Sequence, residues 1–194
     1  MNDTVKLDGE FVTLRLMRVD DAALTFSWRQ AARARLLNAG AANVEQQAAW
    51  IASRPGSEYN FIIELKDGRA IGMLSLVGIN KINRHAETGR FLIGDEEAAK
   101  GVPAAVEAMK LLYEFAFDKL DLIRLHGTVA SGNPLMVKWQ KYLGMKEEGR
   151  MRSHYFIDGK WQDAVVLGLL ADEARTQSFP RMNALIAAAR RSHA

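Results

Sequence analysis

Residues 11–18, FVTLRLMR, alternate apolar and polar side chains with the period of two expected of a strand that buries one face. Asp20 or Asp21 then supplies a helix cap, and a helix through about Ala34 places Leu24 and Trp28 four apart on one face. Asn43, followed three residues later by Gln46, has the spacing of a capping box and opens a second helix carrying Trp50 and Ile51. The apolar runs YNFIIEL (59–65) and AIGMLSLVGI (70–79) flank KDGR, which predicts a hairpin. AETGRFLIG (86–94) is a further strand, followed by a helix over 103–119 and a short apolar strand, LIRLHGTVA (122–130). NPLMVKWQKYLG (133–144) has Asn at the cap, Pro in the first position and Gly at the end, the signature of a helix. MKEEGRMRSHYFI (145–157) and WQDAVVLGLL (161–170) are strands joined across DGK. The tail from Ala171 ends in a basic amphipathic segment, FPRMNALIAAARR (179–191), which serves either as a homodimer contact or as a cap packed on the sheet.

The order β-α-α-β-β-β-α-β-α-β-β, without internal repeat or linker, predicts one α/β domain with a mixed central sheet flanked by helices. Residues 1–170 make the domain, and 171–194 a C-terminal helical extension. The 194 residues are enough to bury a core, and 48% hydrophobic with 25% charged residues is ordinary for one. The absence of cysteine excludes disulfides and thiolate metal sites and fits a reducing compartment. The start, MNDTVKLDGEF, lacks the basic and apolar regions of a signal peptide, and no run of 18 apolar residues occurs. A soluble, cytoplasmic protein with no membrane partner is therefore expected. A formal charge of +3 is compatible with anionic ligands. No basic tract interleaved with aromatics occurs, so nucleic acid is not an expected partner.

The stretch AAKGVPAAVEAMK (98–110) is the first candidate for chemistry. Proline is favoured at the first helical position because its missing N–H would lack an intrahelical partner. An anion at this helix start would meet N–H groups of Gly101, Val102, Ala104, Ala105 and Val106, the positive end of the helix dipole, and the Lys100 ammonium. The small side chains at 101, 104 and 105 let a bulky pyrophosphate reach the backbone. The same residues also suit an ordinary helix start.

The order of elements around this loop carries further meaning. LRL (14–16), SWRQ (27–30), AIG (70–72), AETG (86–89), KGVPAAVEAMKLLYEFAF (100–117), SGN (131–133), YLGM (142–145), EEG (147–149) and DGKWQDAVVLGLL (158–170) together resemble the GCN5-related N-acetyltransferase (GNAT) superfamily. The resemblance covers residues 11–170 and is strongest to the branch with spermidine, ribosomal-protein N-terminal and nucleotide-aminosugar acetyltransferases. It implies acetyl-CoA as co-substrate, with the coenzyme wedged where strand 86–94 splays from strand 122–130. Backbone groups of Phe91, Leu92 and Ile93 would then pair with the pantetheine amides, and Asn133 would contact the coenzyme arm besides capping its helix. The family's loop falls on Lys100, Pro103 and Ala105. Lys replaces Arg or Gln and Pro replaces Gly, which alters the donor set but keeps the charge.

Acetyl transfer needs a neutral amine, and a nearby carboxylate can take its proton. Glu87 in AETG is the residue the resemblance points to. It could instead be an exposed strand glutamate paired with Arg84 or Arg90. The leaving thiolate's usual proton donor, a tyrosine, falls on Gln140, which can donate a hydrogen bond but is not an acid. Tyr155 is a further candidate with no position assignable from sequence. Trp28 and Arg29 resemble an element that borders the acceptor pocket in aminosugar-nucleotide enzymes, although Trp28 also suits a core position. Few acidic residues lie between 28 and 57, where Arg29, Arg33, Arg35 and Arg54 face a single Glu45 as counted along the helices, which disfavours a polyamine. The reading is an acetyl-CoA-dependent N-acetyltransferase for a primary amine of a small-molecule acceptor, for which the resemblance suggests a nucleotide-linked aminosugar. A protein N-terminal acetyltransferase and a non-catalytic acyl-CoA-binding module are the alternatives.

Overall fold

The alternation at 11–18 folds into β2 (Val12–Leu16), with Val12 and Leu14 fully buried. In the computed structural model, which describes residues 5–37 and 40–193 but not the side chains of Arg33, Ser192 and His193, β2 pairs antiparallel with β1 (Lys6–Asp8). That edge strand carries one apolar residue, so no hydrophobic pattern announced it. β3 (Tyr59–Leu65) and β4 (Ala70–Asn80) form the expected hairpin, with Gly68 in the left-handed region at φ 88°. With β5 (His85–Ile93), β6 (Arg124–Ala130), β7 (Lys146–Ile157) and β8 (Lys160–Leu170) they make one sheet in the order β1-β2-β3-β4-β5-β6-β8-β7. Every neighbouring pair is antiparallel except β5 and β6, so the sheet is mixed, as expected.

Successive residues of β3 point to opposite faces. Phe61 and Ile63 join the main buried cluster, which includes Leu112 and Tyr113 of α3 (Ala104–Glu114). Ile62 joins a second cluster with Trp28 of α1 (Ala22–Gln30), Met73 and Leu92. α1 packs with α2 (Val44–Ala52), and α3 packs with α6 (Phe179–His193), so helices cover both faces. α4 (Pro134–Tyr142) lies against β8.

Three expectations need adjustment. The first helix stops at Gln30, because Ala31 turns extended (φ −68°, ψ 148°), and a separate 3₁₀ turn follows at Ala32–Ala34. Its buried face carries Ala22, Thr25 and Trp28, whereas Leu24 is exposed. Asp21 stands at the N-cap of this helix but makes no side-chain cap bond to it; its carboxylate accepts the Arg18 N–H at 2.7 Å and holds the Arg15 guanidinium through two bonds of 2.7 Å. The helix expected over 103–119 begins at Ala104, and its final turn, Phe115–Lys119, is wound as a π-helix.

The tail continues through α5 (Ala171–Glu173) and a π-helical turn into α6. Ala171, Ala174 and Met182 belong to the main buried cluster, and Arg190 ion-pairs with Glu10. The segment is therefore packed on its own domain. Glu107, on the first turn of α3, is 4% exposed and accepts the backbone N–H groups of Glu10, Phe11 and Val12, each at 2.7 Å. This carboxylate fixes the start of α3 to the turn between β1 and β2.

Candidate active site

β5 and β6 run parallel for only three pairs, His85 with Arg124, Ala86 with Leu125 and Glu87 with His126. Beyond them the strands diverge. On the other edge of β5, Gly89 faces Ser75 and Leu92 faces Met73, so Arg90 and Phe91 together oppose the single residue Leu74. Arg90 takes a left-handed φ of 55°, the mark of a bulge that bends a strand and redirects a side chain. A narrow slot of about 80 Å³ lies in the gap, with Phe91, Gly127, Met136 and Gln140 among its lining. It is continuous in its lining (Thr88, Gly89, Arg90, Thr128 and Val129) with a cavity of about 640 Å³.

Glu87 stands on the wall of the larger cavity. Burial raises its carboxyl above the ordinary carboxylate value, opposed by the charges of Arg90 and His154 and by a hydrogen bond with the Thr128 side chain. Thr128 Oγ1 in turn lies 2.6 Å from the Tyr155 hydroxyl, and all three residues line the cavity. Neither arginine expected as an ion-pair partner of Glu87 serves as one. Arg84 pairs with Asp121 at 2.5 Å, and Arg90 pairs with Glu58 at 2.9 Å while also donating to Asn60 at 2.8 Å.

The opposite wall is cationic and aromatic. Trp50, on α2, has the Arg54 guanidinium 4.4 Å and the Arg90 guanidinium 4.9 Å from its ring centroid. Arg29 lines the same cavity, and burial followed by the Arg90 charge pulls its guanidinium below the ordinary value. Among the described residues, Glu87 is the one carboxylate of the lining.

The loop before α3 departs in detail from the sequence expectation. Pro103 is the N-cap (φ −76°, ψ 36°) rather than the first helical residue, and its carbonyl accepts the Glu107 N–H at 3.0 Å. The Val102 N–H is already given to the Ala99 carbonyl at 3.1 Å, which removes it from the expected donor set. Gly101 adopts φ 79°, a conformation that glycine takes without the strain a Cβ would bring. Ala104, Ala105 and Val106 precede the first i→i−4 bond of the helix, the position where N–H groups lack intrahelical acceptors. Lys100 is exposed beside them. The residues of this helix end can thus receive a diphosphate through three backbone donors, the dipole and one ammonium.

The remaining expected site residues divide. Asn133 lines the cavity and caps α4, accepting the Met136 N–H at 3.2 Å. Phe91 lines the slot, whereas the side chains of Leu92 and Ile93 are buried in the two clusters on opposite faces. Leu92 and Ile93 also face Met73 and Gly72 across the β4–β5 ladder, which uses alternate backbone groups of that stretch. Trp28 is corrected: it is 7% exposed, outside the cavity lining, and its ring lies where a Cβ on Gly94 would fall 2.2 Å away. Gln140 is 8% exposed and accepts a long hydrogen bond, 3.4 Å, from the Tyr113 hydroxyl. Trp50 and Thr128 were not expected as cavity residues, and Arg90 was expected only as an ion-pair partner of Glu87. The signal available was modest, an aromatic on the inner face of an amphipathic helix and a hydroxyl at an alternate strand position.

The mixed sheet thus opens between its two parallel strands, with the Glu87 carboxylate at the opening. The family model of the acetyltransferase (GNAT) domain matches residues 12–146, and the chain belongs to that family. It is 33% identical over 56% of its length to the spermidine N(1)-acetyltransferase of Escherichia coli K12, and the match spans only 56% of that enzyme. With the spermidine N(1)-acetyltransferase of Vibrio cholerae it shares 32% identity over 63% of this chain and 69% of the relative. A GCN5-related N-acetyltransferase from Brucella melitensis superposes with a TM-score of 0.78 at 21% identity, covering 92% of this chain and 84% of the other, and shows the same fold.

Proposed function

We propose that the protein is an acetyl-CoA-dependent N-acetyltransferase acting on a primary amine of a small acceptor. The observation that carries this reading is the divergence of β5 and β6 at Glu87, which joins a slot suited to an extended thioester arm to a cavity suited to an amine. The pyrophosphate would rest at the N-terminus of α3 beside Lys100, and the arm would pass Phe91, Gly127 and Asn133. Glu87 would accept the amine proton as nitrogen attacks the thioester carbonyl. Its raised affinity for a proton brings a carboxylate closer to the pH at which it must work.

The relatives named for spermidine support amine acetylation, but the cavity does not favour their polycation. A lining whose one carboxylate is Glu87, with Arg29 and the Glu58-paired Arg90 on its wall, suits an acceptor that carries an anionic group near its amine. The nucleotide-linked aminosugar expected from Trp28 and Arg29 is not supported, since Trp28 is buried against Gly94, outside the cavity. Trp50 is the only indole among the described cavity residues, and its ring already carries the Arg54 and Arg90 guanidinium groups.

The test is acceptor-dependent release of CoA thiol from acetyl-CoA with three amines: spermidine, an amino acid amine bearing a carboxylate, and a peptide N-terminus. The proposal expects release, fastest with the carboxylate-bearing amine. Faster reaction with spermidine would overturn the acceptor class. Binding of acetyl-CoA without any acceptor-dependent release would make the protein a binding module instead.

A further inference from the structure

Arg90 holds a conformation that its neighbour could take with less strain. Its φ of 55° is left-handed, whereas the adjacent Gly89 does not enter that region. A side chain kept there is strained, and the strain persists only where the surroundings fix it. Arg90 Nη1 donates to Glu58 at 2.9 Å and to Asn60 Oδ1 at 2.8 Å, and the guanidinium lies 4.9 Å from the Trp50 ring centroid. Asn60 is itself buried and held. The Ser75 hydroxyl donates to the same Oδ1 at 2.6 Å, and Asn60 Nδ2 donates to Glu58 at 3.3 Å. Groups from β3, β4 and α2 thus set the Arg90 head group in one orientation.

These bonds use a single nitrogen. Among the described residues, Arg90 Nε and Nη2 have no hydrogen-bond acceptor. Together they form one edge of the planar guanidinium, two N–H donors spaced for the two oxygens of a carboxylate. Arg90 lines both the slot and the larger cavity. The charge around it is also incomplete. Glu58 pairs with Arg90 and lies 3.9 Å from Arg54, so two guanidinium groups share one carboxylate and one positive charge is left over.

We propose that Arg90 determines acceptor specificity, its Nε and Nη2 edge holding the carboxylate of an amino acid whose amine is acetylated. This rests on the N-acetyltransferase reading above. A carboxylate brings the one negative charge that the group lacks, whereas a phosphate dianion brings one too many. A polyamine brings like charge and no oxygen for the edge. Glu87 and the Arg90 guanidinium face one cavity of about 640 Å³ from opposite walls, so a single small molecule can offer its amine to one and its carboxylate to the other.

The test follows CoA thiol release from acetyl-CoA with matched acceptors: leucine and leucinamide, β-alanine and β-alaninamide, and aminoethylphosphonate. Rates are referred to the unprotonated amine, and wild type is compared with Arg90→Lys and Arg90→Gln. In wild type, the acid of the faster pair should exceed its amide about 30-fold in kcat/KM, the scale of hydrogen bonding to a charged group. The difference should lie in KM, because the carboxylate is held alike before and during transfer. Arg90→Gln should bring the ratio within threefold of one. Arg90→Lys keeps the charge without the fork and should fall between. If Arg90 were only a structural tie between β5 and Glu58, its loss would lower both rates together and leave the ratio unchanged.

A wild-type ratio near one, an unchanged ratio in Arg90→Gln, or faster transfer to aminoethylphosphonate than to β-alanine would overturn the assignment and leave the acetyltransferase reading standing. A wild type that binds acetyl-CoA by calorimetry but transfers to none of these amines, nor to spermidine or a peptide, would overturn both.

Discussion

At the scale of single residues, Glu87 concentrates the chemistry, and its environment fixes a pH signature. Burial is the largest influence on its carboxyl and raises it, against the smaller opposing effects of Arg90, His154 and Thr128. The native chain therefore keeps this proton to a higher pH than the unfolded chain, whose carboxylates titrate near ~4.3. Stability from this group is full below that value, falls as pH rises through the native value, and stays flat above it. Glu87→Gln removes the fall. The melting temperature of the variant should gain on wild type between pH 4 and pH 7, while kcat drops about 100-fold and the acidic limb of the rate profile disappears. Scanning calorimetry and a pH–rate series measure both. A variant as fast as wild type would remove Glu87 from the proton transfer. Glu87 was singled out by the resemblance of AETG to a family motif, and its side chain does line the cavity. The place of Trp28 was not legible in the sequence. An indole on an amphipathic helix faces either core or cavity, and Gly94 decides it by leaving no space between its Cα and the ring.

At the scale of elements, period and capping made the order of strands and helices readable, from FVTLRLMR to the Asn133-capped helix. Bulges were not readable, because they break the alternation that strand reading relies on. The two that matter set Arg90 and Tyr155 on the cavity wall, and both depend on residues other than glycine holding a left-handed φ. Edge strand β1 was equally silent, since its hold on the sheet comes from pairing with β2 and from what lies beneath the turn between them. There Glu107 accepts three backbone N–H groups, and Gly9 sits where a Cβ would come within 2.6 Å of the carboxyl carbon. Glu107→Ala leaves those donors without their acceptor and should cost about 2–4 kcal/mol in urea unfolding. A loss below about 0.5 kcal/mol, the low end for a single hydrogen bond, would mean that the turn does not depend on this carboxylate. Because α3 starts at this joint, the variant should also weaken acetyl-CoA binding.

At the scale of the whole molecule, the tail and the domain share one core. Met182 and Ala174 are fully buried in the cluster that holds Leu112 and Tyr113. A chain ending at Leu170 should therefore melt well below the full chain, as expected when several core side chains are deleted together. An unchanged melting temperature would make the extension a separate appendage. In the proposed function the sheet holds β5 and β6 apart beyond Glu87, and the N-terminus of α3 would take the coenzyme phosphates. The most direct test is calorimetric titration of the full chain with acetyl-CoA, beside Lys100→Glu, a change at an exposed residue. Binding with a dissociation constant on the order of micromolar, weakened about tenfold by the reversed charge, is the predicted result. No binding by wild type, or equal binding by the variant, would contradict a coenzyme seated in that gap with its phosphates on α3.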